Sequence, residues 1–306
     1  MEELVKELSK NESYEVEKTT LSKNTTYKVG GNVVIIYPKD LESLIKLLEE
    51  VKKKHIKYMI LGNGSNTLFS DKDYDGIIIR LKYFDKILIV GNNIVVGAGF
   101  PLVRLSYMAK NTSLTGLEFA SGIPGTVGGA IFMNAGAYKS DMGYIVRSVK
   151  VLTDKLELIT INNKDMNFHY RTSFLKQHPN YICLEALITL KKGKKENIEE
   201  VMNDRMQRRK EDQPINYPSA GSVFRNPEGL FAGKLIEDLH LKGKSIGGAE
   251  VSEKHANFII NKNKATASDI RNLILYVKDK VKETYNVDLI IEQEFINWDE
   301  ENEKGS

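Results

Sequence analysis

The spacing of apolar side chains along the chain predicts a mixture of helices and strands. Residues 41–51 carry Leu, Ile and Val at helical spacing directly after Asp40, a residue type that commonly caps a helix N-terminus. Short apolar runs bounded by Gly, Pro, Asn or Asp predict strands. The predicted strands are residues 33–37, 58–61, 77–81, 86–90, 94–96, 146–152, 156–161, 181–190, 258–260 and 289–296. The other predicted helices are residues 1–18, 101–112, 196–211 and 268–285, the last with its N-cap at Ser268 and Asp269.

The order of these elements predicts an α+β fold. Strands and helices alternate over the first 80 residues, whereas residues 77–99 are rich in strands, which is unlike a simple doubly wound sheet. The polar run of residues 191–195 is typical of a turn between domains. We therefore expect one domain over residues 1–193 and a second over residues 194–306.

Composition is that of a folded enzyme-sized protein rather than a nucleic-acid binder. At roughly 100–200 residues per domain, the 306 residues predict two or three domains. Hydrophobic residues make up 41% and charged residues 28%, which argues against disorder. The net charge is only +3, and the densest basic run, residues 205–210, is followed at once by Glu211 and Asp212. This run predicts a solvated helix face, and we expect no nucleic-acid partner.

A single cysteine limits the possible redox and metal chemistry. Cys183 excludes an intramolecular disulfide, a Cys-ligated zinc site and an iron–sulfur cluster, and its apolar neighbours predict a buried strand thiol. The histidines show no metal-ligand spacing, so no metal site is predicted. The N-terminal residues lack the apolar segment of a signal peptide, and no run approaches the roughly 18 apolar residues that span a bilayer. We expect a cytoplasmic protein without a membrane partner.

Two glycine-rich clusters, residues 62–66 and 122–130, are candidates for binding a dinucleotide. Glycine allows backbone conformations that turn consecutive N–H groups toward a ligand, and such groups can hold a pyrophosphate. Each cluster by itself could equally be a tight structural turn. Two clusters in one domain, both containing Ser, Thr or Asn, favour a dinucleotide.

The common phosphate-binding motifs do not fit this chain. In residues 62–67, Thr67 stands where the Rossmann motif requires a third small residue, and residues 97–102 have the same defect. Residues 229–235 resemble a P-loop but are one residue short and have Leu235 in place of the metal-binding hydroxyl. The sequence therefore argues against a Rossmann-type NAD enzyme and against an NTPase.

Three isolated polar residues could carry chemistry in the second half of the chain. Arg171 interrupts the pattern between two strands, Ser222 lies in a glycine-containing turn, and Glu294 lies in the last predicted strand. Residue type alone is also compatible with structural roles for all three. Strand alternation places Glu294 on one face and Gln293 on the other.

The chain resembles the UDP-N-acetylenolpyruvoylglucosamine reductase family, the flavoenzymes of bacterial peptidoglycan precursor synthesis. The resemblance is collinear from about Thr20 to Glu294, and five motifs in the same order are far more specific than one. The motifs are residues 62–66, 115–130, 133–138, 170–173 and 221–227, and residues 231–236 and 246–252 agree as well.

The resemblance implies a vanillyl-alcohol-oxidase (PCMH)-type FAD fold, in which residues 1–193 form an FAD-binding domain of two α+β subdomains, about 20–80 and 81–193. Residues 194–306 would then bind the substrate, with the last strand returning Glu294 to the active site. FAD is expected to be non-covalent. Its expected contacts are Gly62, Asn63, Gly64, Ser65, Asn66, Gly116, Ser121, Gly122, Ile123, Pro124, Gly125, Thr126, Gly128, Gly129 and Ala130.

The reaction implied by the resemblance is the NADPH-dependent reduction of UDP-N-acetylglucosamine enolpyruvate to UDP-N-acetylmuramate. Reduced FAD would give hydride to the methylene carbon, and Ser222 would protonate the adjacent carbon. Arg171 and a protonated Glu294 would stabilise the negative charge that develops. The expected substrate contacts are Asn134, Tyr138, Arg225, Asn226, Lys234 and His255.

Two features depart from the general family pattern. The family often has Arg two residues after the catalytic Glu, and here that residue is Ile296. The segment between Arg171 and Ser222 is too short for the extra tyrosine-bearing loop of the longer family type, so the shorter type is expected, as a monomer. Two alternatives stay open at this point: an FAD oxidase of the same fold that uses oxygen, and a sugar-nucleotide binding protein without catalysis.

Overall fold

The structure, a computed structural model, describes residues 1–299, and residues 300–306, which include Gly305 and Ser306, lie outside the described residues. Helices and strands are intermixed along this part of the chain. The α-helices are α1 (Glu2–Leu8), α2 (Leu21–Asn24), α3 (Leu41–Lys53), α4 (Leu102–Asn111), α5 (Val127–Phe132), α6 (Met142–Ile145), α7 (Phe174–Gln177), α8 (Lys195–Asp212), α9 (Ala232–Asp238) and α10 (Ala267–Tyr285). Two short 3₁₀ helices cover Glu118–Ala120 and Asn163–Asp165.

The strands are short, as the sequence pattern predicts. They are β1 (Tyr14–Thr20), β2 (Asn32–Pro38), β3 (Tyr58–Ile60), β4 (Thr67–Phe69), β5 (Ile77–Ile79), β6 (Ile87–Val90), β7 (Asn93–Gly97), β8 (Leu114–Thr115), β9 (Gly136–Ala137), β10 (Ser140–Asp141), β11 (Val146–Leu152), β12 (Leu158–Asn162), β13 (Ile182–Thr189), β14 (Lys191–Lys192), β15 (Ser245–Ile246), β16 (Ala249–Val251), β17 (Ile259–Asn261) and β18 (Glu294–Ile296). Between residues 1 and 299, none of the helices has the length and apolar character needed to cross a membrane.

Helix caps explain where the two long amphipathic helices begin. Asp40 caps α3 as predicted: its carboxylate accepts the Ser43 backbone N–H at 2.8 Å. The N-cap predicted at Ser268 and Asp269 is wrong, because α10 begins one residue earlier behind Thr266. The Thr266 hydroxyl accepts the Asp269 N–H, and the Asp269 carboxylate accepts the Thr266 N–H. This reciprocal capping box satisfies two N–H groups that a helix start otherwise leaves unpaired.

Three predicted elements differ from the structure for local reasons. The helix predicted over residues 1–18 ends at Leu8, and Tyr14–Thr20 is a strand because valine and threonine favour extended backbone there. The strand predicted over residues 289–296 is regular only from Glu294 onward. Before that residue the backbone pairs irregularly with Val223 and Arg225. Strand β4 was not predicted, since three residues are too few to show a period.

The contacts within the chain define two compact units. Unit 1 comprises residues 1–17, 34–63 and 76–207. Strands β2, β5 and β3 are parallel neighbours in a four-stranded sheet of order β1-β2-β5-β3, and a five-stranded sheet has the order β12-β11-β13-β7-β6. The second sheet is antiparallel throughout. One apolar core contains side chains from both sheets and from helices α3, α4 and α5.

Unit 2 comprises residues 18–33, 64–75 and the chain from residue 208 onward. Helix α10 packs against the three-stranded sheet β15-β16-β17, and β4 pairs in parallel with β18. The two early segments belong here because residues such as Tyr27 and Leu68 lie in the same apolar core as α10. The division into an FAD-binding domain, residues 1–193, and a substrate-binding domain, residues 194–306, is a division by function, and it stays a prediction.

Cys183 lies inside strand β13 and is buried, as predicted. Burial raises the pKa of its thiol to about 12, because the charged thiolate is poorly solvated there. We expect native protein to react with an aromatic disulfide reagent far more slowly than denatured protein, in which the thiol returns to its usual reactivity. The released thiolate absorbance, followed with and without denaturant, measures this. Equal rates in the two states would contradict the burial of Cys183.

Candidate functional site

The two predicted glycine-rich clusters contact one another within unit 1. A β-carbon added at Gly62 would lie 2.8 Å from the Thr126 hydroxyl, closer than real side chains pack. The Asn63 side-chain amide donates to the Pro124 carbonyl at 3.4 Å. Only glycine at position 62 therefore permits this approach, and the first two residues of the first cluster lie against the second cluster.

The second cluster is preceded by a turn held by a buried carboxylate. Glu118 accepts from the Gly116 backbone N–H at 2.8 Å and from the Thr115 hydroxyl. Gly116 has a φ of 125°, a conformation that side-chain-bearing residues avoid. The Ser121 hydroxyl is buried and donates to the Glu118 carbonyl at 3.0 Å. Ser121 therefore shapes the loop with its side chain.

The loop continues directly into helix α5. The Thr126 hydroxyl caps this helix by accepting the Gly129 N–H at 3.3 Å. A β-carbon at Gly128 would lie 2.9 Å from the Ala98 β-carbon, so glycine lets the helix pack closely after strand β7. Pro124 and Gly129 stay exposed. Part of the loop backbone is thus rigidly held while part of it is open to a ligand.

The remaining residues of the first cluster belong to unit 2, where they contact the strand that carries Glu294. Gly64 has a φ of 62°, and its carbonyl accepts from the Thr26 N–H and hydroxyl. The Asn66 carbonyl accepts the Glu294 N–H at 2.9 Å. The Asn66 amide donates to the Glu292 carbonyl at 3.1 Å. A predicted cofactor residue and a predicted catalytic residue are therefore direct hydrogen-bond partners.

Glu294 faces a buried hydroxyl on the neighbouring strand. Glu294 and Thr67 are opposite one another in the parallel β4–β18 pair, so their side chains share one face. The Thr67 hydroxyl oxygen is buried and has no hydrogen-bond partner among residues 1–299. Buried polar atoms are normally hydrogen-bonded, so this oxygen indicates that a ligand contributes to the site. Gln293 is buried, but it lies in a bend before β18 begins, so the predicted alternation of Gln293 and Glu294 across one strand stays a prediction.

Ser222 lies in an extended segment that is held by a buried asparagine. The Asn257 side chain accepts the Phe224 N–H at 2.9 Å and donates to the Phe224 carbonyl at 2.8 Å. The Asn257 carbonyl accepts the Val223 N–H at 2.9 Å. Gly221, just before Ser222, has a φ of 76° and open space around it. Asn257 thus fixes the backbone after Ser222, a role that its sequence position did not indicate.

Arg171 lies in a tight turn in unit 1. His169 and Thr172 exchange two backbone hydrogen bonds of 3.2 Å, and Arg171 has a φ of 57°. Its guanidinium donates to the Gly136 carbonyl at 3.1 Å and lies over the Tyr170 ring at 5.1 Å. A left-handed conformation is unfavourable for arginine, and such strain is often found at functional sites. The turn and the ring together orient the positive charge.

Asn134, a predicted substrate contact, braces this turn. It is buried, its amide donates to the His169 carbonyl at 2.9 Å, and its oxygen accepts the Gly143 N–H at 2.9 Å. These two bonds engage both ends of the side chain. The geometry therefore supports a role in holding the turn of Arg171 rather than a direct contact with substrate.

Tyr138 is exposed in unit 1, where it contacts helix α8. Its hydroxyl donates to the Arg205 carbonyl at 3.1 Å, and the Arg205 guanidinium lies 5.0 Å from the ring centre. The interpretation of residues 205–210 as a purely solvated face is therefore wrong for Arg205. Cation–π contacts of this type hold an aromatic side chain in place at a surface.

The other predicted substrate residues of unit 2 differ in the hydrogen bonds and ion pairs that their side chains make. The buried Nε of Arg225 has no hydrogen-bond partner among the described residues. The Asn226 side chain accepts the Ala232 N–H at 3.1 Å, next to the start of α9. Lys234 pairs with Asp238 at 2.6 Å, which raises the pKa of the lysine. Arg225 therefore fits an anion contact best.

His255 is half-buried against helix α9. Its Nδ1 accepts the Asn257 N–H at 3.2 Å, which assigns the proton of the neutral ring to Nε2. A β-carbon at Gly233 would lie 3.3 Å from the His255 ring. Burial lowers the pKa of His255 below its usual value of 6.5, because the imidazolium would lose solvation. The ring is therefore neutral at pH 7 and presents an Nε2–H donor.

Acidification should destabilise the protein partly through His255. The unfolded chain binds a proton at this residue at a higher pH than the folded chain, so stability falls as the pH drops below about 6.5. We expect the thermal midpoint of His255→Gln to fall less than that of the unchanged protein when the pH is lowered from 8 to 5. Differential scanning calorimetry of both proteins at the two pH values measures this. Parallel losses would contradict the assignment.

The residues present fit a bound dinucleotide and a polyanionic substrate. The buried Thr67 hydroxyl and the buried Arg225 Nε have no hydrogen-bond partner among the described residues, and the same is true of the Nε atoms of Arg80 and Arg271. Within residues 1–299, no group of three or more His, Cys, Asp or Glu side chains is arranged to hold a metal ion.

Comparison with known protein families assigns both parts of the chain. Residues 33–162 match the FAD binding domain, and residues 213–296 match the C-terminal domain of UDP-N-acetylenolpyruvoylglucosamine reductase. The FAD match includes both glycine-rich clusters, and the second match includes Ser222 and Glu294.

Similar proteins cover nearly the whole chain. The UDP-N-acetylenolpyruvoylglucosamine reductase of Caldanaerobacter subterraneus subsp. tengcongensis is 46% identical, over 89% of this chain and 90% of its own length. The protein of the same name from Halalkalibacterium halodurans is 43% identical, over 97% of this chain and 99% of its own. The crystal structure of the reductase from Thermus caldophilus aligns with a TM-score of 0.80 at 34% identity, over 92% of this chain and 99% of its own.

Proposed function

Because this chain belongs to the UDP-N-acetylenolpyruvoylglucosamine reductase family, we propose that it reduces UDP-N-acetylglucosamine enolpyruvate to UDP-N-acetylmuramate with electrons from NADPH. Family membership makes it an FAD-dependent oxidoreductase of peptidoglycan precursor synthesis. It also confirms the predicted α+β fold, an FAD-binding domain followed by the C-terminal domain of the reductase. The reductant, the hydride path and the roles of individual residues are parts of the proposal.

One hydrogen bond supports this function most directly. The Asn66 carbonyl, in the glycine-rich segment proposed to bind FAD, accepts the backbone N–H of Glu294, proposed to act on the substrate. A reductase needs its cofactor and its substrate side by side, because hydride transfer requires contact between the two reacting atoms. A backbone bond at this point holds the two proposed contacts together.

The residues proposed to hold FAD are those of the two glycine-rich clusters and Gly116. Bound FAD would accept hydride from NADPH and pass it to the methylene carbon of the enolpyruvyl group. Pro124 and Gly129 are exposed in the second cluster, and we propose that this part of the loop lies beside the pyrophosphate. The Thr67 hydroxyl, beside the first cluster, supplies one further polar contact.

Arg171 and Glu294 are proposed to stabilise the negative charge that develops beside the substrate carboxylate. Arg171 carries a permanent positive charge, and its turn and the Tyr170 ring keep the guanidinium oriented before substrate arrives. Preorganised charges of this kind lower the barrier because they need no rearrangement during the reaction. Asn134 contributes indirectly by holding the Arg171 turn.

Ser222 is proposed to donate the proton that completes the reduction. A serine hydroxyl is a weak acid, so it is effective only where its oxygen is held close to the developing carbanion. The backbone on the C-terminal side of Ser222 is fixed by Asn257, which supports such a role. Arg225 is proposed to bind substrate phosphate, with Asn226, Lys234, Tyr138 and His255 as further contacts.

The first test is the visible spectrum of the purified protein under anaerobic conditions. We expect a flavin spectrum that bleaches on addition of NADPH and returns on addition of the UDP-enolpyruvyl sugar. Reoxidation by air but not by the sugar would indicate an oxidase of the same fold. Absence of flavin even after FAD is supplied would indicate a binding protein without this chemistry.

Replacement of Ser222 by Ala should separate the two half-reactions. We expect normal flavin binding and normal bleaching by NADPH, but reoxidation by the sugar slowed about 10²–10⁴-fold, the usual contribution of a positioned general acid. Stopped-flow absorbance measures both steps. Ser222→Cys is the matched control, since it restores a proton donor of similar size. Reoxidation of Ser222→Ala at the normal rate would remove Ser222 from the mechanism.

The expectations of a monomer and of a cytoplasmic location belong to the same proposal. The proposed substrates support the location, since NADPH and UDP-sugars are intracellular metabolites. Sedimentation of the FAD-loaded protein measures its oligomeric state directly.

A further inference from the structure

A buried side-chain amide lies behind the segment that carries Ser222. The Gln293 Nε2 faces three consecutive carbonyl oxygens, those of Ala220 at 3.2 Å, Gly221 at 3.4 Å and Ser222 at 3.5 Å. Gln293 is only 4% exposed. Its amide therefore acts as a common donor for the backbone that leads up to the proposed proton donor.

The other end of the same amide is fixed by a buried tyrosine. The Tyr27 hydroxyl donates to the Gln293 Oε1 at 3.0 Å, and the Tyr27 side chain is fully buried. Burial raises the pKa of Tyr27 well above its usual value, although hydrogen bonds with Gln293 and the Ala220 backbone oppose this. The hydroxyl therefore keeps its proton and always donates it, which fixes the orientation of the amide.

The position of Gln293 in the chain makes this contact relevant to catalysis. It directly precedes Glu294, the first residue of strand β18. Glu294 is fixed by its backbone bond to Asn66, and Gln293 reaches the carbonyls around Ser222. Adjacent residues of the chain thus serve both proposed catalytic residues of unit 2: Glu294 is one of them, and Gln293 contacts the backbone of the other, Ser222.

We propose that Gln293, oriented by Tyr27, is a positioning residue that sets the backbone path of Ser222 and thereby the rate of proton donation. This inference rests on the proposed function, in which Ser222 is the proton donor. Asn257 holds the backbone after Ser222, and Gln293 holds it from the other side. With both in place, the backbone around Ser222 has little freedom to move.

An effect on stability can be separated from an effect on the position of Ser222, because the Gln293 amide and the Tyr27 hydroxyl can be removed singly or together. Gln293→Met keeps the side-chain length but removes the donor and leaves the Tyr27 hydroxyl buried without its acceptor. Tyr27→Phe removes only the hydroxyl. The double variant removes both partners, and replacing both members of a buried hydrogen bond by apolar groups costs much less stability than removing one.

The experiment measures thermal midpoint, flavin bleaching by NADPH and flavin reoxidation by the UDP-enolpyruvyl sugar for the FAD-loaded variants. We expect Gln293→Met to slow reoxidation about 10- to 100-fold, because an ångström-scale misplacement costs up to that much, and to leave bleaching unchanged. Tyr27→Phe should slow reoxidation less. The double variant should regain most of the lost thermal midpoint but reoxidise as slowly as Gln293→Met, because the three carbonyls stay unsupported.

A purely structural role gives a different result. In that case the double variant would recover its reoxidation rate together with its thermal midpoint, and this outcome would overturn the inference. Thr266→Ala, which removes the α10 cap, is the matched control: it should lower the thermal midpoint and leave reoxidation unchanged. If Gln293→Met does not fold, Tyr27→Phe alone decides, and an unchanged reoxidation rate in that variant contradicts the inference.

Ser222→Ala in the same series distinguishes failure of the proposed proton donor from failure of the proposed positioning residue. Normal reoxidation by Ser222→Ala contradicts the proposed proton donor itself. Slow reoxidation by Ser222→Ala combined with normal reoxidation by Gln293→Met contradicts only the positioning role of Gln293. Slow reoxidation in both single variants supports both, provided that the double variant recovers its thermal midpoint but still reoxidises slowly.

Discussion

The parallel pairing of strand β4 with strand β18 is the constraint on which the proposed chemistry of unit 2 depends. It places Glu294 opposite Thr67 and hydrogen-bonds its backbone to Asn66, at the end of the first glycine-rich cluster. Just before this strand begins, the Gln293 side chain reaches the backbone carbonyls of the Ser222 segment. If this pairing shifted by one residue, the two faces would exchange and Glu294 would point into the apolar core.

Several polar side chains near the candidate site hold backbone. Asn134, Asn257 and Gln293 are all buried, and each uses both ends of its amide to bind main-chain groups or a tyrosine hydroxyl. A buried amide is costly unless its donors and acceptors are satisfied, so each fixes one local conformation. The arginine and the serine proposed to act on substrate thus lie in segments whose shape is set by neighbouring amides.

The sequence predicted the parts of the structure that depend on local patterns. Long amphipathic helices such as α3 and α10 and the strand Val146–Leu152 follow from periodicity, and the glycine clusters follow from composition. Strand β4 could not be predicted, because its three residues are fixed only by a partner far along the chain. Gln293 and Asn257 were missed as positioning residues for the same reason: their contacts exist only once residues 220–224 lie beside them. The roles of Ser222 and Arg171 came from the resemblance and were not visible in residue type.

The distance along the chain between β4 and its partner has a consequence for biosynthesis. Asn66 and Glu292 are 226 residues apart, and Tyr27 and Gln293 are 266 apart. Closing such loops costs entropy that is recovered only when the contacts form, and contacts of this kind delay folding. The apolar core of unit 1 ends at Leu190, so it can assemble on the ribosome while the segments 18–33 and 64–75 still lack their C-terminal partners. Asn66, at the end of the first glycine-rich cluster, therefore gains its hydrogen bonds to Glu292 and Glu294 only after the last strand has been synthesised.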